Sequence, residues 1–137
     1  MKIVQDELAK ELCNLSSPIK YSETDSLRYL CSSIKEAMRL YPNPGLNLPR
    51  HSPRGGMQVS GYHIPEGFRV GVNPTTVTYD EATYGSDVAE FKPERWLTNG
   101  VDLRHLERGM ALAFGAGTRT CVGKNVSDGL EMRDETN

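Results

Sequence analysis

One of the three cysteines in this sequence lies in a setting that few folds provide. Cys121 follows a glycine-rich run at positions 114–117, with Arg119 two residues before it and Gly123 two residues after it. The thiolate form of cysteine binds metal ions, and glycines allow positive φ angles and a close approach of the backbone to a ligand. An arginine presents a planar fork of donors that suits a carboxylate. The pattern predicts a fold in which the sulfur meets a large planar cofactor that carries carboxylates.

The segment 114–123 resembles the haem-thiolate signature of the cytochrome P450 monooxygenases, Phe-x-x-Gly-x-Arg-x-Cys-x-Gly, and fills every specified position. The resemblance implies that the Cys121 thiolate is the axial ligand of haem b (iron-protoporphyrin IX), a ligation that favours cleavage of the O–O bond. It also implies that Arg119 pairs with a haem propionate and that Phe114 packs beside the sulfur. The glycines that would give the porphyrin room are Gly115, Gly117 and Gly123.

Two other glycine motifs fail on spacing. A phosphate-binding P-loop has four residues between its glycines and then Lys and Ser or Thr. Five residues separate Gly117 from Gly123, and Asn125 stands where the hydroxyl is needed. A dinucleotide fingerprint that starts at Gly115 would need a glycine in place of Thr120. The sequence therefore predicts neither nucleotide site.

A second set of charged residues lies outside the loop. Glu36 and Arg39 are three residues apart on a predicted helix and share a face. Taken alone, such a pair is usually a solvated surface contact worth little. In the cytochrome P450 family, however, Glu-x-x-Arg is joined by the arginine of a Pro-Glu-Arg-Trp-like segment, which Arg95 supplies. The resemblance thus implies a buried triad of Glu36, Arg39 and Arg95 that locks the loop of Cys121 rather than doing chemistry.

Arg50 is a further candidate for a haem contact. Leu48-Pro49-Arg50 resembles a family strand whose arginine also reaches a propionate, and residues 44–47 would then fall where the family lines its substrate pocket. The alternative for Arg50 is an ordinary solvated loop arginine. Across positions 17–125 the chain resembles the fungal secondary-metabolism branch of the family, including pisatin-demethylase-like enzymes.

Local patterns predict the secondary structure. Apolar periodicity predicts a helix over residues 1–14 and a second helix that follows capping residues at 22–25 and ends at Pro42. We expect one buried apolar stripe on the second helix: Leu27, Leu30, Ile34, Ala37, Met38 and Tyr41. After a Pro- and Gly-rich connector at 43–56, the pattern predicts strands at 58–64 and 68–72 around a turn at 65–67. A short helix at 75–84, mostly irregular chain at 85–108 and a helix from Val122 onward are expected to follow.

These elements predict a fold that is mainly α with a small β-sheet, in one compact unit over residues 1–137. The resemblance implies a partial cytochrome P450 fold, namely the proximal, C-terminal portion of the catalytic domain. The family string Ala-Gly-x-Asp-Thr, which activates oxygen on a long distal helix, does not occur in the sequence. Ser127-Asp128-Gly129 also replaces an apolar helical stretch of the family with a helix-weakening step.

The expected function follows from both the match and the departures. Intact family members are haem-thiolate monooxygenases that use a small organic substrate and an NADPH-dependent reductase. We expect residues 1–137 to be a truncated chain that binds haem weakly at most and is not a competent monooxygenase by itself. The alternative is a non-enzymatic remnant or an interaction fragment without a cofactor.

Composition argues against several other classes. With 25% charged residues and a formal net charge of -2, nothing marks a nucleic-acid partner. Three cysteines without a C-x-x-C pair and three scattered histidines argue against a zinc site. Widely spaced cysteines in odd number favour reduced thiols in an intracellular setting. No apolar run reaches the length of a transmembrane helix, so we expect no membrane anchor here, although intact family members are anchored to the endoplasmic reticulum.

Overall fold

The computed structural model describes residues 2–11, 14, 16, 21–24, 26–43, 45–98 and 101–123. The helices are α1 (Lys2–Glu11), α2 (Tyr21–Thr24), α3 (Arg28–Leu40), α4 (Pro74–Thr78), α5 (Glu81–Tyr84) and α6 (Val101–Ala111). The strands are β1 (Leu48–His51), β2 (Met57–Val59), β3 (Tyr62–Ile64) and β4 (Arg69–Val72), and short 3₁₀ helices span Pro93–Leu97, Leu112–Phe114 and Gly117–Arg119. The predicted class, mainly α with a small β component, is confirmed.

The helix α3 is capped by a residue from another helix. The carboxylate of Glu7, on α1, accepts the N–H groups of Tyr29 and Leu30 at 2.9 Å each. These N–H groups have no partner within their own helix, and a carboxylate near a helix N-terminus also complements the helix dipole. The prediction that residues 22–25 cap α3 is wrong for residues 22–24, which belong to α2, while Asp25 lies outside the described residues. The N-cap position of α3 is Leu27.

The buried face of α3 is largely polar. Ser32, Glu36, Arg39 and Leu40 are buried, whereas of the predicted apolar stripe Leu27 is buried, Leu30, Ile34 and Met38 are half-buried, and Ala37 and Tyr41 are exposed. The predicted stripe is therefore wrong at Ala37 and Tyr41. Polar groups can be buried when hydrogen bonds satisfy them, and partners that lie far along the chain satisfy Glu36 and Arg39.

The hydrophobic core lies between α5, the 3₁₀ helix Pro93–Leu97 and α6. Its buried members are Tyr84, Val88, Trp96, Leu106 and Met110. The prediction of mostly irregular chain over 85–108 holds for residues 85–92 but is wrong from Val101 onward, because α6 presents Leu106 and Met110 to this core at helical spacing. The interior glycine of α6, Gly109, lowers helix propensity, but packing supplies most of the stability of a helix in a protein.

The strands pair differently from the prediction. The expected hairpin around residues 65–67 is wrong, because β2 and β3 form an antiparallel hairpin around Ser60 and Gly61. Both residues have positive φ, 48° and 84°, as a tight two-residue hairpin turn requires. The strand β4 instead pairs with β1 in a second antiparallel sheet, with Arg50 opposite Val70. The order of strands in space therefore brings residues 48–51 beside 69–72.

Of the two remaining predicted helices, one differs and the other is not tested. The helix expected over 75–84 is divided into α4 and α5, because Asp80 adopts an extended conformation at the start of α5. The helix expected from Val122 onward lies outside the described residues, apart from a turn at Val122 and Gly123. Among the helices that the structure describes, none is both long enough and apolar enough to cross a membrane.

Candidate functional site

The loop that carries Cys121 is a direct continuation of α6. The 3₁₀ helix Leu112–Phe114 follows α6 without a break and ends at Gly115, whose N–H donates to the carbonyl of Leu112 at 3.0 Å. The N–H of Cys121 returns to the carbonyl of Phe114 at 2.9 Å. This bond closes the loop, so the position of Cys121 depends on the end of α6.

Glycines permit the two sharp changes of direction in the loop. Gly115 and Gly117 have φ angles of 77° and 68°, which residues with a β-carbon rarely adopt. Gly123 lies beside the sulfur, since a β-carbon added there would be 3.7 Å from Cys121 Sγ. Cys121 and Arg119 are both exposed. The thiol is therefore presented on the surface of the described chain by a loop with a defined backbone path.

A cleft of about 270 Å³ lies between the β1–β4 sheet and the segment that enters the loop. We call it the sheet cleft. Most of its lining is apolar, and the guanidinium of Arg50 is a charged group in its wall. The residues that line it are Leu48, Arg50, His51, Met57, Val70, Gly71, Val72, Leu112, Gly115 and Ala116.

Arg50 and Gly115 meet in this cleft. A β-carbon added to Gly115 would lie 3.9 Å from Arg50 Nη2, while Nη1 of Arg50 donates to the carbonyl of Pro49 at 2.9 Å. Arg119 and Cys121 do not line the sheet cleft, and Phe114 lines a different cavity of about 260 Å³ with Met38 at the end of α3. Arg50 therefore approaches the Cys121 loop at the backbone of Gly115.

The residues present fit a haem. A porphyrin ring is apolar and planar and carries two carboxylates, and it needs an axial donor for its iron. The exposed thiol of Cys121 supplies a soft donor, and the apolar walls of the sheet cleft suit a ring edge. The guanidiniums of Arg50 and Arg119 are exposed donors suited to carboxylates.

Glu36 lies at the centre of a buried ionic network between α3 and the 3₁₀ helix Pro93–Leu97. Its carboxylate accepts hydrogen bonds from Nε and Nη2 of Arg39 and from Nε of Arg95, each at 2.9 Å. The side chains of Glu36 and Arg39 are 0% exposed, and that of Arg95 is 7% exposed. The three charged residues singled out from the sequence are therefore together and shielded from water.

Two further donors complete the shell of the Glu36 carboxylate. The indole N–H of Trp96 donates to Oε2 at 2.8 Å, and the backbone N–H of Lys92 donates to Oε1 at 3.0 Å. Neither donor was predicted from the sequence. Trp96 follows Arg95 directly in the Pro-Glu-Arg-Trp string, and this adjacency was the available signal. A carboxylate with five hydrogen bonds is held in one orientation.

Both arginines also bind backbone carbonyls beyond the network. Arg39 donates to the carbonyl of Thr78 at 2.8 Å, at the end of α4. Arg95 donates to the carbonyl of Tyr84 at 2.7 Å and forms an ion pair with Asp87 at 3.2 Å. The network thereby ties α3 to the ends of α4 and α5, and α5 in turn packs against α6.

Acid is expected to remove the stabilisation that Glu36 supplies. Burial alone would raise the pKa of Glu36, but hydrogen bonds from Arg39, the Lys92 N–H, Trp96 and Arg95 outweigh burial and hold the pKa below its usual value of 4.5. A carboxyl with a lowered folded-state pKa stabilises the fold above its unfolded pKa, and this stabilisation is lost as the pH falls through the folded pKa. We therefore expect the free energy of unfolding to fall below about pH 5.

Urea unfolding followed by circular dichroism between pH 7 and pH 3 measures this dependence. The variant Glu36→Gln is the reference, because it retains every other carboxyl of the chain. Its free energy of unfolding should fall less steeply with acid than that of the parent chain. Equal slopes in the two proteins would contradict the assignment to Glu36.

Comparison with known proteins identifies the family of this chain. A family model for cytochrome P450 matches residues 1–132. The chain is 46% identical over 116 residues to a pisatin demethylase of Fusarium vanettenii, covering 84% of this chain and 22% of that protein. It is 40% identical over 114 residues to the cytochrome P450 monooxygenase ACRTS1 of Alternaria alternata, covering 83% of this chain and 30% of that protein. An indoleacetaldoxime dehydratase of Arabidopsis thaliana is 38% identical over 130 residues, covering 95% of this chain and 26% of the dehydratase.

The alignments cover most of this chain but a third or less of each of these relatives. The family model reaches from the first residue to within a few residues of the last. Several of the relatives are fungal monooxygenases. This chain belongs to the cytochrome P450 family of haem-thiolate proteins, among relatives of the fungal secondary-metabolism type.

Proposed function

We propose that this chain binds haem b through the thiolate of Cys121 and forms the proximal haem-binding portion of a cytochrome P450. The observation that carries the proposal is the loop itself. Cys121 is exposed at the end of a loop closed by its own N–H, and the same loop borders the sheet cleft at Gly115 beside Arg50. A soft anionic donor, an apolar cleft and cationic groups are the three features that a haem requires.

Each residue has a role that follows from its position. The thiolate of Cys121 would hold the haem iron, and Gly123 leaves the space next to the sulfur open. Arg50 and Arg119 orient the propionates, since guanidiniums bind carboxylates in a bidentate geometry. The apolar wall of the sheet cleft excludes water from the ring edge. Haem bound by a thiolate supplies activation of molecular oxygen.

The buried ionic network acts at a distance from the haem. It does not reach the sulfur, and its contacts are to backbone segments and to the core beneath α6. We propose that it holds α3, α4 and α5 as one rigid support for α6 and hence for the Cys121 loop.

We also propose that the whole protein to which this portion corresponds inserts one oxygen atom of O₂ into a small organic substrate. Electrons would come from an NADPH-dependent reductase. The fungal relatives named as monooxygenases support this activity, and this chain spans a third or less of each relative described above. We therefore expect the 137-residue chain to bind haem without hydroxylating a substrate, even with a reductase present.

Cys121→Ala is expected to abolish thiolate ligation. The test is a haem titration of the purified chain, followed by the carbon monoxide difference spectrum of the reduced complex. The single tryptophan, Trp96, is buried and gives a second readout, because bound haem quenches its fluorescence. The parent chain should give the red-shifted Soret band of a thiolate complex, and the variant should not.

Cys31→Ala is the matched control. Cys31 is half-buried on α3, and its thiol donates to the carbonyl of Thr24 at 3.6 Å. The control should keep the thiolate spectrum. If the parent chain does not bind haem, or if the spectrum survives in Cys121→Ala, the proposal is wrong and the alternative without a cofactor stands.

A further inference from the structure

We propose that Tyr84 is a positioning residue for the Cys121 loop. Its hydroxyl holds α6 in register with the buried ionic network and thereby sets the place of the loop that α6 continues into. This inference rests on the proposed function only where haem ligation is the readout. Its other consequences concern the chain without haem.

Tyr84 contacts both the buried ionic network and α6. Its ring lies under the guanidinium of Arg39, 5.1 Å from the ring centre, and is tilted against Trp96 with 6.3 Å between ring centres. Its own carbonyl accepts a hydrogen bond from Arg95. The side chain is thus part of the wall of the network, and only 3% of the residue is exposed.

The hydroxyl of Tyr84 is the group that reaches α6. It donates to the carbonyl of Leu106 at 2.9 Å in a buried contact. Burial raises the pKa of this hydroxyl to about 12, so it keeps its proton at neutral pH. Leu106 lies in the middle of α6, and the hydroxyl therefore fixes the position of the helix along its own axis.

Gly109 makes room for this contact. A β-carbon at that position would lie 2.5 Å from Tyr84 Oη, too close for any real contact. The helix thus keeps a glycine in its interior, where glycine is unfavourable by about 1 kcal/mol relative to alanine. An unfavourable residue beneath the hydroxyl shows that the helix surface is shaped around Tyr84.

A continuous path leads from Leu106 to the sulfur. Unbroken α and 3₁₀ helix runs from Leu106 to Phe114, and eight steps with a rise of about 1.5–2 Å each make this path roughly 12–14 Å long. The carbonyl of Phe114 then accepts the N–H of Cys121. A shift of α6 along its axis therefore moves the acceptor that anchors Cys121.

Hydrogen exchange in the chain without haem tests the inference directly. Tyr84→Phe keeps the ring contacts and removes only the hydroxyl. Because one hydrogen bond is lost, we expect the amides of Gly115 and Cys121 to exchange about two- to tenfold faster. Amides of α3 serve as the internal reference for any loss of global stability, and they should change less.

Tyr79→Phe is the matched control. Tyr79 also lies against Arg39, 5.8 Å from its ring centre, and its hydroxyl donates to a helix carbonyl, that of Leu40 at 3.3 Å. That carbonyl belongs to α3 rather than α6. Exchange at Gly115 and Cys121 should stay within about twofold of the parent chain.

A second variant tests the same contact from the opposite side. Gly109→Ala should displace the hydroxyl and accelerate exchange in the loop, although alanine favours the helix. In the double variant with Tyr84→Phe, the change in the free energy of loop opening should be smaller than the sum of the two single changes. Both substitutions remove the same contact, so it can be lost only once. Strictly additive effects would contradict the inference.

The haem readout separates this inference from the proposed function. In haem-loaded chains, Tyr84→Phe should lower the share of thiolate-type complex, whereas Tyr79→Phe should not. Unchanged loop exchange in Tyr84→Phe, or equal acceleration in Tyr79→Phe, overturns the inference. Faster loop exchange in a chain that binds no haem supports the inference and overturns the proposed function.

Discussion

Replacing Glu36 with glutamine is expected to lower the free energy of unfolding by about 3–5 kcal/mol. The carboxylate is fully buried and accepts five hydrogen bonds, including those from both arginines. Glutamine is similar in shape, but it is neutral and places an amide N–H₂ group against donors. Among the residues that the structure describes, Arg39 has no other carboxylate in ion-pairing distance, so its charge would remain buried and unpaired.

Glu107→Gln is the matched control for this change. Glu107 forms an ion pair with Lys35 at 3.0 Å, and its side chain is 39% exposed. The side chain of Lys35 is 14% exposed, so the pair is partly open to solvent. Because ion pairs that water reaches contribute at most about 1 kcal/mol, we expect a small loss. Urea unfolding followed by circular dichroism measures the loss of the free energy of unfolding in both variants. A loss in Glu36→Gln no larger than that in Glu107→Gln would show that the network does not stabilise the fold.

The size of the first loss matters because small domains are only marginally stable. A native domain unfolds at a cost of about 5–15 kcal/mol, so losing the network would remove a large part of the total. We therefore expect Glu36→Gln to weaken haem binding as well, without any contact between Glu36 and the haem. A variant that unfolds more easily but binds haem with the parent affinity would show that the Cys121 loop is independent of the network.

Gly71→Ala is expected to lower the free energy of unfolding by about 1–3 kcal/mol and to deform the sheet cleft. Gly71 lies opposite Pro49 in the β1–β4 sheet. A β-carbon at position 71 would lie 2.8 Å from the carbonyl oxygen of Leu48 and 2.9 Å from Cα of Pro49, and it would also collide with the side chain of Asn47. Backbone atoms cannot turn aside as side chains do, so β1 must move, and it carries Arg50 with it.

Gly45→Ala separates this effect from the general effect of losing a glycine. The nearest atoms to a β-carbon at position 45 lie at 3.4 Å, on Pro42 and Thr75, so the side chain fits with little movement. We expect the control to keep the stability and the haem affinity of the parent chain. The two measurements are urea unfolding and the dissociation constant from quenching of Trp96 fluorescence. Equal results for Gly71→Ala and Gly45→Ala would show that β1 and β4 are not packed as closely as described.

Short motifs carried most of the information about the site. The string from Phe114 to Gly123 predicted the candidate ligand residue and its loop, and the positive φ angles of Gly115 and Gly117 agree with the conformational freedom expected of glycine there. Glu36, Arg39 and Arg95 were connected through two strings of the sequence. Each of these predictions used residues within a few positions of one another, together with the resemblance to a family.

Patterns of burial and pairing were less accessible. Periodicity predicted an apolar buried stripe on α3, but the structure buries Glu36, whose donors Lys92, Arg95 and Trp96 lie 56 to 60 residues further along the chain. It also buries Arg39, which donates to the carbonyl of Thr78, 39 residues further along. The pairing of β1 with β4 encloses the β2–β3 hairpin, and the turn at residues 65–67 suggested a different pairing. The helix α6 was missed because its stability comes from packing against Tyr84 and Trp96 rather than from its own residues.

The amino-acid order alone established the family, the candidate haem ligand and the mainly helical class, since each depends on residue types at short spacing. Only the tertiary structure decided which face of α3 is buried, that Arg50 meets Gly115 across the sheet cleft, and that the hydroxyl of Tyr84 lies on α6. The physical reason is that burial and hydrogen bonding are properties of pairs. When the two members are far apart in the chain, the sequence around one member does not indicate the other.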